Sequence, residues 1–341
     1  MKRKVLMIYT GGTIGMEKDH NSGSLRAFDF NHIFDKISEM NLLECEVSVH
    51  AFEHPLDSSD VGPEEWKIIA GVIESNYHDF DGFLILHGTD TMSYTASALS
   101  FMLKGLKKPV VLTGSQLPIG DLRTDAKENL LTSLYYASLY ENNEALIQEV
   151  VVYFEYKLLR GNRTLKYSAE YFDAYRSPNY PILGESGVHL NIRKEVLLRN
   201  DATEFSIDLH LCKDIVFWRI FPGMSFESLL HLPKTKVIIL QVFGSGTIFN
   251  SPETERILLE IRERDTEIIV LSQCISGGIS IGKYENSNVF QKIGAISGKD
   301  LTAESAITKA MHLMGNKNYS SSFAENFSKN LQGELNENFG D

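Results

Sequence analysis

Two threonines stand in similar surroundings 76 positions apart, Thr13 in Thr10-Gly11-Gly12-Thr13-Ile14-Gly15 and Thr89 in His87-Gly88-Thr89-Asp90-Thr91. Each run follows a short apolar, β-branched stretch, residues 5–9 and 83–86. In open α/β sheets ligands bind outside the carboxyl ends of strands, so a hydroxyl placed there by a glycine turn is a candidate for chemistry. One Gly-Thr turn alone often merely caps a helix; two in one chain weaken that reading. A threonine hydroxyl is a feeble nucleophile at its free pKa. Hydrolysis through it needs a nearby base or proton relay, and donors for the oxygen that gains charge. Lys166 could supply the relay if it packs beside Asp90, and the backbone N–H groups of the Gly88–Thr89 turn could face the developing charge.

Other chemistries fit less well. The glycines at 11, 12 and 15 miss the GxGxxG register of a dinucleotide site. Residues 277–283 have P-loop glycine spacing, but Tyr284 stands where a Ser or Thr must reach Mg²⁺, so a loop is expected there. HExxH is missing, and His50 and His54 lie in a strand pattern broken by Pro55, which denies them a shared helical face. No metal and no cofactor are expected. Lys157, Arg160, Arg163 and Lys166 recur at every third position; such a run is expected to form a solvated face with one member turned inward.

The elements that must position these groups alternate in type. Strand patterns at 5–9, 47–51, 83–86, 110–112 and 150–154 interleave with helical patterns at 31–40, 63–75, 91–103 and 124–140. A second series has strands at 215–220, 237–242 and 268–271, with helices at 225–231, 252–264 and 302–314, and a further helix is expected near 322–331. The fold class is therefore α/β: a Rossmann-like N-terminal domain with a parallel-rich sheet, and a smaller C-terminal α/β domain. The expected division is 1–190, a linker at 191–212, and 213–341. Pro63 followed by Glu64 and Glu65 marks a helix start, with Ser58 or Asp60 as possible caps and Asp90 as a possible cap for the next helix.

Composition narrows the partners. With 33 Lys and Arg against 45 Asp and Glu, the net charge of −12 speaks against nucleic acid, whose binding rests on neutralising phosphates. Hydrophobic content of 43% suits a globular core and rules out wholesale disorder. The basic start Lys2-Arg3-Lys4 precedes an apolar run too short for a signal peptide, and no stretch is long enough for a membrane span. Cys45, Cys212 and Cys274 are odd in number and widely spaced, which points to a reducing compartment. A cytoplasmic, membrane-free protein is expected.

The paired threonine motifs resemble the bacterial-type L-asparaginase family, in particular its cytoplasmic (type I) branch. The likeness extends through Asp57-Ser58-Ser59-Asp60, Thr113-Gly114-Ser115-Gln116-Leu117-Pro118, Arg160-Gly161-Asn162-Arg163-Thr164-Leu165-Lys166 and Gln273-Cys274-Ile275-Ser276-Gly277-Gly278. The resemblance implies hydrolysis of the side-chain amide of L-asparagine to L-aspartate and ammonia. Thr13 would be the nucleophile, with an acyl-enzyme intermediate, and Thr89, Asp90 and Lys166 a second catalytic group. It further implies that Asp90 binds the substrate α-ammonium while Ser58 and Ser59, next to Asp57, hold the α-carboxylate. Gly12, Thr89 and Ser115 complete the expected substrate-binding set, and the working unit would be a homodimer or homotetramer.

The chain also departs from the family pattern. Many members carry a tyrosine on the loop after the nucleophile. Residues 15–28 contain none, and Ser24 or Leu25 falls near its place. That loop has the polar composition of a lid. Gln241 and Leu165 replace an arginine and a threonine of the regulatory asparagine site found in some cytoplasmic members, so little cooperativity is expected. A glutaminase or mixed glutaminase-asparaginase is the nearest rival, and a non-catalytic asparagine sensor of the same fold is the rival from another class.

Overall fold

The computed structural model describes residues 2–18, 25–27, 37–200, 204–249 and 251–339. The chain divides into two compact units, Met1–Leu209 and His210–Asp341.

The first unit is built on an eight-stranded sheet. Its strands are β1 (Arg3–Gly11), β2 (Cys45–Leu56), β3 (Gly82–Leu86), β4 (Val110–Thr113), β5 (Val150–Phe154), β6 (Lys157–Arg160), β7 (Gly184–Ser186) and β8 (Leu190–Ile192). Their spatial order is β8-β7-β6-β5-β4-β3-β1-β2. The five strands from β2 to β5 are mutually parallel, and β6 to β8 continue the sheet antiparallel. Strands β3 and β5 are buried at every residue, as expected for parallel strands covered on both faces.

Among the described residues, three helices make crossovers: α1 (Pro63–Asn76), α2 (Met92–Met102) and α3 (Ala126–Ala137). Pro63 opens α1 at a position whose N–H has no helical acceptor, and Glu65 Oε2 reaches back to accept from Gly62 N at 2.9 Å. The cap is thus Gly62, not Ser58 or Asp60. Asp57 instead closes the tight turn Ser58–Asp60 by accepting from Ser59 N. Helix α2 is buried at ten of its eleven residues and so behaves as a core helix rather than an amphipathic one. The helix expected over 31–40 lies mostly outside the described residues; its end is a 3₁₀ turn at Ser38–Leu42.

The second unit contains a four-stranded parallel sheet, β9 (Ile215–Arg219), β10 (Val237–Val242), β11 (Glu267–Ser272) and β12 (Ile296–Ser297), in sequential order. Helices α4 (Pro252–Glu263) and α5 (Ala303–Gly315) start at hydroxyl caps: Ser251 accepts from Thr254 N, and Thr302 accepts from Ser305 N. Lys309 on α5 is fully buried against Glu334, which also accepts from Leu331 N and Gln332 N, so one ion pair ties the 331–334 turn to the helix. Among the described residues, no helix is long and apolar enough to cross a membrane.

Candidate active site

The first unit's strand order reverses direction between β1 and β3, since the chain lays β2 on one side of β1 and then winds β3, β4 and β5 outward on the other. A reversal of this kind parts the crossover connections above the strand ends and leaves a crevice there. Both threonine motifs follow the two strands that flank it. Register pairs Tyr9 with Leu86, so the turns leave the sheet at the same level.

Glycine allows them to meet. Gly12 has φ +85°, and a Cβ there would lie 2.5 Å from the Gly88 Cα. A Cβ on Gly88 would in turn lie 2.7 Å from the Ser58 Cβ. Three segments of backbone thus converge within van der Waals contact, which no residue larger than glycine permits at these two positions.

Thr13 begins a single 3₁₀ turn, Thr13–Gly15, and is half-exposed. Its hydroxyl makes no hydrogen bond within the described residues. Beneath the turn, Tyr9 is buried and its hydroxyl donates to Gly15 O at 3.2 Å; burial pushes its pKa up to about 12, so it stays a neutral donor. Tyr9 thereby braces the turn that presents Thr13.

Thr89 is held from several sides. Lys166 Nζ, 14% exposed, donates to Thr89 Oγ1 at 2.8 Å and to Asp90 Oδ1 at 2.7 Å. Thr89 Oγ1 donates to Gln116 Oε1 at 3.2 Å, and the buried Tyr175 hydroxyl donates to Thr89 O. Lys166 comes from a short strand, Leu165–Lys166, paired antiparallel with Tyr175–Arg176, so one hairpin delivers both the cation and the tyrosine. The Asp90 carboxylate is 70% exposed and turned toward Lys166. It does not cap α2; that position belongs to Thr91, whose hydroxyl donates to Ser58 O at 2.5 Å.

The Ser58–Asp60 turn borders the same cluster. Ser58 is buried, and its Oγ accepts from Asp90 N at 3.3 Å. Ser59 is exposed, with both its N–H and its hydroxyl donating to Asp57 Oδ1 at 2.8 Å. Those two bonds hold the Asp57 carboxyl below the usual carboxylate range. On the other side, Asp125 accepts from Gln116 N, Leu117 N and Asn129 Nδ2, which fixes the loop carrying Gln116. Burial outweighs these bonds and raises the Asp125 pKa. Ser115 is buried, but its hydroxyl donates to Leu117 O at 2.6 Å and is engaged within its own loop.

The structure thus gathers Gly12, Ser58, Thr89, Asp90 and Lys166 at the switch point, sets Asp57 and Ser59 on the adjoining turn, and engages the Ser115 hydroxyl within its own loop. Gln116 in its role toward Thr89, Tyr175, Tyr9 and Asp125 carry the site as well. Gln116 lies in a motif the sequence already offers as lining the site, whereas Tyr175 reaches Thr89 across 86 residues and Tyr9 and Asp125 brace turns six to nine residues away. The basic row at 157–166 is not a solvated face. Arg160 is 3% exposed against the equally buried Glu149 at 2.6 Å, Arg163 is buried over the Tyr180 ring, and Lys157 pairs with Asp173. These residues belong to β6 and the 3₁₀ turn after it, inside the fold. Of the loop at 15–28, only the hairpin pairing of Met16–Lys18 with Leu25–Ala27 is described. Among the described residues, no group of three or more His, Cys, Asp or Glu side chains is arranged to hold a metal.

Comparison with known proteins agrees with this two-part organisation. The asparaginase N-terminal family model matches residues 4–198, and the glutaminase/asparaginase C-terminal domain model matches residues 214–327. The chain belongs to the asparaginase family. It is 38% identical to L-asparaginase 1 of Escherichia coli (strain K12), with 98% of each chain covered. Among solved structures, L-asparaginase I from Vibrio cholerae superposes with a TM-score of 0.89 at 35% identity, covering 98% of this chain and all of the other. The thermostable L-asparaginase from Thermococcus kodakarensis gives 0.87 at 29% identity, covering 98% of this chain and 99% of its own.

Proposed function

We propose that the protein is an amidohydrolase that converts L-asparagine to L-aspartate and ammonia, with Thr13 as nucleophile. The observation that carries the reading is the Lys166–Thr89–Asp90 cluster at the β1/β3 switch point, against the turn that presents Thr13. The family membership and the full-length likeness to L-asparaginases support the substrate.

The Asp90 carboxylate receives the substrate α-ammonium, and the Ser58 turn, with Ser59, receives the α-carboxylate. Held at both ends, the amide carbon meets the Thr13 hydroxyl. Thr13 Oγ1 bonds to that carbon, and the amide oxygen gains charge against the Thr89 N–H. The C–N bond then breaks, and the hydroxyl proton leaves on nitrogen as part of ammonia. Water next adds to the Thr13 ester, with protons moving between Thr89 Oγ1 and Lys166 Nζ. The C–O bond to Thr13 breaks, and aspartate leaves while Thr13 regains its proton.

The protein acts in the cytoplasm as a homo-oligomer in this reading. Three free cysteines suit a reducing compartment, and Phe217, Phe221 and Ile275 are exposed on the second unit. Light scattering that returns a single-chain mass would remove the assembly from the proposal. The central test is ammonia release from L-asparagine and L-glutamine in parallel, with Thr13→Ala as control. Release from asparagine that is abolished in the variant is expected. Binding of asparagine without release would make the protein a sensor.

A further inference from the structure

His87 lies directly beneath the turn that carries Thr89, is fully buried, and has no part in the reaction as described. Its two ring nitrogens have different partners. Nδ1 stands 2.7 Å from Gly88 O, and Nε2 stands 2.9 Å from Thr95 Oγ1 on α2. A carbonyl oxygen only accepts, so Nδ1 carries the proton and Nε2 is the acceptor. The Thr95 hydroxyl must then donate to Nε2, and its oxygen is free to accept from Trp66 Nε1 on α1 at 3.0 Å. The direction of every bond in the chain Trp66–Thr95–His87–Gly88 is fixed.

The consequence falls on the next peptide unit. That unit joins Gly88 C=O to Thr89 N–H, and no peptide bond in the described chain is cis. In a planar trans peptide the two groups point in opposite directions. Drawing Gly88 O down toward the His87 ring therefore aims the Thr89 N–H away from it. Tyr175 holds Thr89 O, while Lys166 and Gln116 engage its hydroxyl. The Thr89 N–H is left without a partner among the described residues.

We propose that His87 is a positioning residue, which through its bond to Gly88 O aims the Thr89 N–H at the substrate oxygen that becomes negative. The inference rests on the amidohydrolase reading and adds to it the residue that sets the donor. It requires His87 in its neutral form, since only that form offers an acceptor to Thr95. Burial favours that form, lowering the ring's pKa to about 4, and no charged side chain contributes to the shift.

Three variants test it, each assayed for ammonia release from L-asparagine beside a thermal melt and a calorimetric titration with L-aspartate. His87→Leu fills the buried position with an apolar side chain and removes the donor; kcat is expected to fall by about 10- to 100-fold while KM and aspartate affinity stay within about threefold. His87→Asn keeps a donor near the Nδ1 position and should recover part of kcat, although it also lacks the Nε2 acceptor and should melt as early as His87→Leu. Thr95→Val preserves the histidine and loosens it, with a kcat loss of a few-fold expected; it decides the matter if His87→Leu does not fold. Unchanged kcat in Thr95→Val and His87→Leu, or equal kcat loss in Leu and Asn variants, assigns His87 to stability alone and overturns the inference. A wild-type protein that releases no ammonia overturns the amidohydrolase reading itself, and the inference with it.

Discussion

The parallel strands of the two sheets end in loops rich in glycine and hydroxyl residues, and the two loop sets differ in what their polar groups bind. At the carboxyl ends of β10 and β11, the polar side chains bind one another's backbone. Ser272 Oγ donates to Gly244 O at 2.6 Å and accepts from Cys274 N, while Gln273 Nε2 donates to both Ile220 O and Gln241 O. Gln241 Nε2 closes the set by donating to Ser272 O. At the carboxyl ends of β1 and β3, by contrast, the Thr13 hydroxyl and the Thr89 N–H have no such partner among the described residues. The second sheet winds in one direction through β9, β10, β11 and β12, whereas the first reverses between β1 and β3. Reversal, with glycine at Gly12 and Gly88, accompanies the loop set with polar groups left unpaired among the described residues, and the unreversed sheet accompanies the set whose side chains bind its own backbone.

That contrast can be broken by experiment. The largest effect is expected at Thr89→Val, which removes the hydroxyl between Lys166 and Gln116; turnover should fall by about 10³-fold, or roughly 4 kcal/mol of barrier, in an ammonia assay. A loss below tenfold would deny the first sheet's ends their special status. Next come the buried ion pairs. Glu149→Gln or Glu334→Gln leaves Arg160 or Lys309 buried and uncompensated, which should cost about 3–5 kcal/mol in urea unfolding. Asp90→Asn, at an exposed carboxylate, should alter stability by less than about 1 kcal/mol while lowering turnover.

A further effect on stability, below that of the ion pairs, is set by pH. The unfolded chain binds a proton at His87 near its ordinary value of 6.5, and the folded chain does so only near 4, so between these values the unfolded state holds more protons. Stability therefore declines as pH falls through that window, by about 3 kcal/mol in total. Urea midpoints from pH 7 to pH 4 should show this slope, and His87→Asn should lack it. The smallest effect on turnover is expected at Ser272→Ala, with kcat changed by less than about threefold beside a stability loss near 1 kcal/mol. A tenfold drop in kcat there would mean that the second unit's loops also serve the reaction.

Much of the fold is legible in the sequence, for identifiable reasons. Strands Val150–Phe154 and Val237–Val242 are apolar runs cut off by polar residues or turns, and the start of α1 is marked by Pro63 with two acids. Strands β7 and β8 are short and partly exposed, so the antiparallel side of the sheet leaves only a weak mark, a strand-like piece at 188–192 that overlaps β8. In the site, the two glycine-threonine turns announce themselves, and the resemblance supplied the placing of Lys166 beside Thr89, 77 residues away. Tyr175 and Asp125 gave no such sign. A buried tyrosine looks like core until the carbonyl it reaches is known, and Asp125 precedes a helix like any cap. Arg160 and Arg163 misled for a similar reason, since a charge run looks solvated until Glu149 and the Tyr180 ring are brought to it.

The Trp66 indole has a use as an instrument. It is one of two tryptophans in the chain, it is buried, and its N–H is bonded to the hydroxyl that supports His87. The other, Trp218, has its N–H on the Met224 sulfur in the second unit. Indole emission and the indole proton resonance respond to that bond and to the dryness around it. With Trp218 replaced by phenylalanine, the fluorescence of this protein would record, in real time and without any added label, whether the floor of the Thr89 turn is intact.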